Sequence, residues 1–282
     1  MAVDHEDFHD AALVVLGHGA TKNTGSAEPA ITHAVELRRR SLFHSVREAF
    51  WIQEPHLNHV LSTLAEPRIF IAPLFISGGY ICEEVIPKSL GFNFGQNASR
   101  VKRAATQLIC YCKPVGSHPG MTNVLLARAR EVVEEYPFPR LPRPADTTLF
   151  IAGHGTERNE NSRTAVEQQV KLISAMNLFA GVHAIFMEEE PRIPQCYALA
   201  QTRNVVVVPF FISDGLHTQE DIPVLLGESQ HTVQERFRAG RPTWRNPTEK
   251  HGKLLWYTPA VGTEPMMAEV VLERVREAAL WK

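Results

Sequence analysis

The feature that most constrains this chain is that it repeats itself, with four anchors at one constant offset. His18 and His154, Glu54 and Glu190, Pro73 and Pro209, and Pro87 and Pro223 all stand 136 residues apart. A further match, "KPVGSHP" with "PAVGTEP", is offset by 146, so the second copy carries ten extra residues within 228–252. Self-similarity of this length means one folding unit used twice. The chain of 282 residues is therefore expected to form two domains of one fold, 1–136 and 147–282. The stretch 137–146, rich in proline, reads as a stiff linker between them. The insertion 228–252 reads as a surface loop in preference to a lid.

Within the second copy, short apolar runs alternate with helical periodicity. "TTLFIAG" ends in glycine and reads as a buried strand, and "GVHAIFME", "NVVVVPFFI" and "KLLWYTPAVG" read as three more. "SRTAVEQQVKLISAMNLF" has Ala165, Val166, Val170, Ile173 and Met176 at helical spacing. "IPQCYALAQ", "TQEDIPVLLG" and "PMMAEVVLERVREAAL" read as further helices. Continuous Val/Ile runs, in place of strict alternation, suit strands covered on both faces of a parallel sheet. The expected fold is α/β: a tandem pair of flavodoxin-like domains with parallel sheets and a cleft between them.

Composition excludes several classes. A net charge of −2 gives no basic stripe for nucleic acid, and 44% apolar with 21% charged residues is ordinary for a soluble domain. No apolar run approaches the ~20 residues of a membrane span, and the acidic N-terminus does not resemble a secretory signal. Cys82, Cys110, Cys112 and Cys196 lack metal-site spacing and read as reduced thiols. A cytoplasmic location is expected.

The polar residues gather where such a sheet binds ligands, beyond the carboxyl ends of its strands. His154 follows the first strand of the second copy, Glu188, Glu189 and Glu190 end the second, and His217 lies on the loop leaving the third. Two imidazoles and a carboxylate form a donor set for a first-row transition metal with coordination sites left over. Strand alternation puts Glu188 and Glu190 on one face, and Glu188 is the first choice of metal-facing carboxylate. Glu190, repeated as Glu54, is assigned to the turn. The first copy keeps His18 but has Ile52 for Glu188, Ile81 for His217, Gly78 for Asp214 and Val85 for Asp221. Residues needed only for folding should survive in both copies. The second copy is therefore expected to carry the chemistry, with His18 structural or lining a substrate site.

"GHGTERNENS", "FMEEEPRIP" and "VVVVPFFISDGLHTQEDIP" together resemble the class II tetrapyrrole chelatases, in particular the CbiX-type sirohydrochlorin chelatases. The resemblance covers the second copy and, in decayed form, the first; Thr156 stands where those proteins usually have serine. It implies insertion of a divalent metal, Co²⁺, Fe²⁺ or Ni²⁺, into sirohydrochlorin or a related tetrapyrrole, with no organic cofactor. His154, Glu188 and His217 would hold the metal, which is a substrate. His18, Gly153, Gly155, Thr156 and Gly215 would contact the macrocycle. Glu189, Glu220 and Asp221 would orient the ligands, and some of Arg158, Arg163 and Arg192 would meet the substrate's carboxylates. The alternatives are a ferrochelatase-like enzyme acting on another porphyrin and a tetrapyrrole or metal carrier without turnover.

Overall fold

The structure, a computed structural model, describes residues 8–20, 24–92, 99–155 and 161–281. In chain order the first repeat forms β1 (Phe8–Gly17), α1 (Glu28–Arg39), β2 (Phe43–Phe50), α2 (Leu57–Ser62) and β3 (Arg68–Pro73). A π-turn (Ile81–Val85) leads into α3 (Ile86–Ser89), followed by β4 (Val101–Ala104), β5 (Gln107–Tyr111) and α4 (Met121–Glu135). The second repeat forms β6 (Thr147–Gly153), α5 (Asn161–Ala175), β7 (Gly181–Phe186), α6 (Cys196–Leu199) and β8 (Asn204–Pro209). A second π-turn (His217–Asp221) precedes α7 (Ile222–Leu225), then α8 (Gln230–Arg238), β9 (Thr248–Lys250), β10 (Lys253–Tyr257) and α9 (Met267–Ala279).

Each repeat supplies one five-stranded sheet, ordered β2-β1-β3-β5-β4 and β7-β6-β8-β10-β9. Four strands of each run parallel, as their buried apolar runs predict. Each sheet adds a fifth, edge strand that is antiparallel, β4 on β5 and β9 on β10. A short strand after a tight turn can pair only antiparallel with its neighbour, because a parallel return needs a crossover. In the second sheet Phe150, Ile185, Val207 and Leu255 pack into one apolar core. In the first, Val14, Leu16, Ile71 and Tyr111 do the same.

The compact units differ from the two repeats by an exchange of helices. One unit combines residues 1–118 with 265–282, and the other runs 119–264. Thus α9 packs on β3 and β5, while α4 packs on β8 and β10. A buried arginine docks each helix in its unit. Arg128 donates to the Ala260 carbonyl (3.3 Å) and Thr263 Oγ1 (2.7 Å), and Arg274 donates to the Pro114 carbonyl (3.0 Å) and Ser117 Oγ (2.8 Å). Burying guanidinium against carbonyl and hydroxyl acceptors fixes the helix in one register, since leaving such a charge unpaired would be costly.

Two local expectations need correction. The insertion 228–252 is not a surface loop: Ser229 caps α8 by accepting from the Thr232 N–H at 3.1 Å, and Trp244 is buried in the core. Helix α5 stops at Ala175, which leaves Met176 exposed instead of on the packed face. Among the described residues no helix is long and apolar enough to cross a membrane.

Candidate active site

Strand β6 is buried along its whole length and delivers His154 to the carboxyl edge of the second sheet. The flanking glycines are there for packing and turning. A Cβ on Gly153 would lie 2.8 Å from Val166 Cγ2 of α5, so glycine lets helix and strand approach. Gly155 has φ +70°, and a Cβ there would meet Glu189 Cγ at 2.4 Å. Gly19 repeats this, at φ +77° over Gln53, whose Oε1 accepts from the Ala20 N–H at 2.8 Å. Glu189 and Gln53 are the same position of the repeat, and each lies beneath its glycine turn.

His154 and His217, far apart in sequence, come together edge to face with ring centroids 5.0 Å apart. Their Nδ1 atoms are both engaged. His154 Nδ1 lies 2.7 Å from the Gly155 carbonyl oxygen, and His217 Nδ1 lies 2.7 Å from Asp221 Oδ2. A carbonyl and a carboxylate only accept, so each neutral ring carries its proton on Nδ1 and presents Nε2 as a free donor of electrons. Asp221 thus orients His217, as carboxylates orient metal-bound imidazoles. Glu220 makes no bond to His217. Together with Glu188, Asp221, Val224 and Val233 it lines a cavity of about 370 Å³ between the strand end and α8.

Glu188 stands 3.8 Å from His154 Nδ1 with an exposed side chain, and its backbone N–H donates to the His154 carbonyl at 3.1 Å. The carboxylate therefore sits on the protonated side of the imidazole, away from Nε2. Among the described residues no group of three His, Cys, Asp or Glu side chains is drawn together as a metal site. The arrangement is a pair of oriented imidazoles with a carboxylate free to rotate beside them. Glu189 is held differently, beneath Gly155 and 3.4 Å from Arg163 Nε.

The remaining expected residues fall as follows. His18 is exposed in the first unit, its Nδ1 3.0 Å from the Gly19 carbonyl and its ring edge-on to Phe75 at 6.1 Å. Gly215 uses its carbonyl to accept from Gln219 N–H and Thr218 Oγ1, at 2.9 and 3.1 Å, which opens the π-turn. Gly153 is buried. Thr156 and Arg158 lie outside the described residues.

Arg163 and Arg192 tie down the turn that carries Glu188. Arg163 donates from both terminal nitrogens to the Glu190 carbonyl (3.1 and 2.6 Å) and stacks over Phe186 at 4.7 Å. Arg192 donates to the Met187 carbonyl at 2.9 Å. The signal for Arg163 was present in the repeat, whose first copy has Ala27 at that position. Asp214, matched by Gly78, accepts from the Ala260 N–H at 2.9 Å and so ties the loop after β8 to the turn after β10.

A sequence model of the CbiX family matches residues 12–132 and again 148–278. A protein of Halobacterium salinarum described as a probable sirohydrochlorin cobaltochelatase is 42% identical over 279 residues, covering 95% of this chain and 91% of that one. A sirohydrochlorin cobaltochelatase of Methanopyrus kandleri is 31% identical over 138 residues, 46% of this chain but 95% of its own. Among solved structures, a multi-domain protein from Deinococcus radiodurans with structural similarity to chelatases superposes with a TM-score of 0.75 at 29% identity, over 95% of this chain and 54% of that one. The present chain thus spans about half of that larger protein.

Proposed function

The chain belongs to the CbiX family, and from that premise we propose that it inserts a divalent metal ion into sirohydrochlorin or a closely related tetrapyrrole. The observation that carries the reading is the pair His154 and His217, drawn to 5.0 Å at one strand edge with both Nδ1 atoms occupied. The relatives named for cobalt insertion support the substrate class. Under this reading His154 and His217 meet the incoming metal through Nε2, and Glu188 supplies an oxygen after rotating about its exposed side chain.

The donor types suit transfer. Insertion removes water from M²⁺, takes two protons from pyrrole N–H groups and forms four metal–nitrogen bonds, so that M²⁺ and the free ring become the metallated ring and two protons. Imidazole and carboxylate bind first-row divalent ions without the tenacity of a thiolate cage, so the ion can leave for the macrocycle. As the metal leaves, an Nε2 lone pair is released, and it can accept a pyrrole proton as a general base. The donors suit Co²⁺, Fe²⁺ and Ni²⁺ alike, and cobalt is the first to test because the relatives carry its name.

The test is sirohydrochlorin absorbance followed with each metal in turn. A spectral change that is first order in protein under catalytic conditions is expected. Binding without multiple turnovers would replace the enzyme reading by that of a carrier.

A further inference from the structure

His217 and Asp221 are set in register by a π-turn, and the structure shows what makes that turn. The Ile222 N–H donates to the His217 carbonyl, five residues back, in place of the α-helical partner four back. The next carbonyl, that of Thr218, would in a π-turn accept from residue 223. Residue 223 is Pro223, which has no N–H. The Thr218 carbonyl is therefore left open by the backbone, and the Tyr257 hydroxyl closes it at 2.7 Å. The ring of Tyr257 is buried, and burial, followed by the nearby Asp214, holds its phenol well above the ordinary range, so it stays a neutral donor.

The first repeat builds the same turn without the polar pair. Ile86 donates to the Ile81 carbonyl, Pro87 cannot serve Cys82, and the Tyr111 hydroxyl closes the Cys82 carbonyl at 2.8 Å. Ile81 and Val85 stand where His217 and Asp221 stand in the second repeat. The π geometry is therefore independent of the His–Asp contact. It belongs to the Ile-Pro pair and a tyrosine that reaches it from β5 or β10.

We propose that Tyr257 is a positioning residue of the metal site: by closing the carbonyl that Pro223 leaves open, it keeps the turn wide and so aims His217 and Asp221. Without that bond the Thr218 carbonyl is free to take the Ile222 N–H, as in an α-helix. That change removes one residue from the turn and swings His217 by about 100° relative to the helix behind it. The proposal rests on the reading of His217 as a metal-facing group.

The repeat supplies its own control, because Tyr111→Phe and Tyr257→Phe delete the same bond in the two copies. Co²⁺ binding to the full chain is followed by its visible absorption for the wild type, His217→Ala, Tyr257→Phe and Tyr111→Phe, with thermal melts alongside. Tyr257→Phe is expected to weaken Co²⁺ binding about 10-fold, in the range for residues that orient a metal ligand. Tyr111→Phe is expected to lower the melting temperature comparably and to leave Co²⁺ affinity unchanged. In the Tyr257→Phe background, Pro223→Ala provides a new N–H opposite Thr218 and is expected to restore affinity to within about threefold of Pro223→Ala alone. That pair decides the matter should Tyr257→Phe alone not fold. Wild-type affinity in Tyr257→Phe, with binding lost in His217→Ala, overturns the positioning role and leaves the metal reading standing. Equal loss in Tyr111→Phe overturns it as well, by showing general destabilisation. Undiminished binding in His217→Ala overturns the metal reading itself.

Discussion

Asp221 offers a perturbation whose size can be worked from the geometry. Its Oδ2 lies 2.7 Å from His217 Nδ1, and the two side chains are 50% and 51% exposed. A hydrogen bond to a carboxylate is roughly twice as strong as a neutral one, but half-exposed partners lose much of that to solvent. Groups that orient a metal ligand are worth about 10–100-fold in metal affinity, and this exposure argues for the lower end. Asp221→Val, which installs the residue that the first repeat carries as Val85, should therefore weaken Co²⁺ binding about 10-fold, or about 1.4 kcal/mol. Asp221→Asn keeps an accepting oxygen and loses only the charge, so about threefold is expected. Glu220→Gln should change nothing, because Glu220 faces the cavity and not the imidazole. The assay is competition of Co²⁺ between the protein and a coloured chelator at fixed pH and ionic strength. Wild-type affinity in Asp221→Val, or an equal loss in Glu220→Gln, would show that Asp221 does not orient His217 for metal.

Arg163→Ala removes two hydrogen bonds from the Glu190 carbonyl and the stacking on Phe186, and should cost about 1–2 kcal/mol in denaturant unfolding. Unchanged stability with a raised KM for the tetrapyrrole would return Arg163 to substrate binding. Burial pushes the Cys82 and Cys196 thiols up to about 12 and Cys110 to about 11, and raises Cys112 too. A thiolate-directed reagent should label the four only as fast as the chain opens, and immediate labelling at about pH 8 would contradict this. Burial, then Arg274, lowers the pKa of His118 from its ordinary 6.5. The unfolded chain then binds the extra proton first, so this group's contribution is constant above about pH 6.5 and is lost as pH falls through that value. His118→Gln should shrink the fall in urea midpoint between about pH 7.5 and about pH 5.5, and an unchanged fall would contradict the assignment.

How much of this was legible in sequence depends on whether the cause is local. Strand β6 and its GHG turn follow from a buried apolar run closed by glycines, and the meeting of His154 with His217 follows from the strand edge on which both must lie. The helix exchange has no local signature. Arg128 and Arg274 sit in equivalent helices with equivalent neighbours, and only the path of the chain after Ser117 and Thr263 decides which sheet each helix covers. Helix α8 was hidden by the prolines and glycines that follow it, although Ser229 and Thr232 carry a capping signal. In sequence, a charged side chain near a binding edge, such as Arg163 or Arg192, suggests a ligand and gives no sign of a role in the turn. Here backbone carbonyls of an irregular turn, which must find donors when the sheet ladder ends, claimed both. Asp221 and Glu220 were equivalent on paper, and only the π-turn separates them.

Under the proposed reading, the second repeat performs the chemistry and the first supplies scaffold. The most direct measurement is the initial rate of Co²⁺ insertion into sirohydrochlorin by His154→Ala, His217→Ala and His18→Ala, each shown to be folded. His154→Ala and His217→Ala are expected to lose about 100-fold or more in kcat, and His18→Ala to keep kcat and alter at most the KM for the tetrapyrrole. Loss of kcat in His18→Ala with full activity in His217→Ala would place the reaction on the first repeat instead.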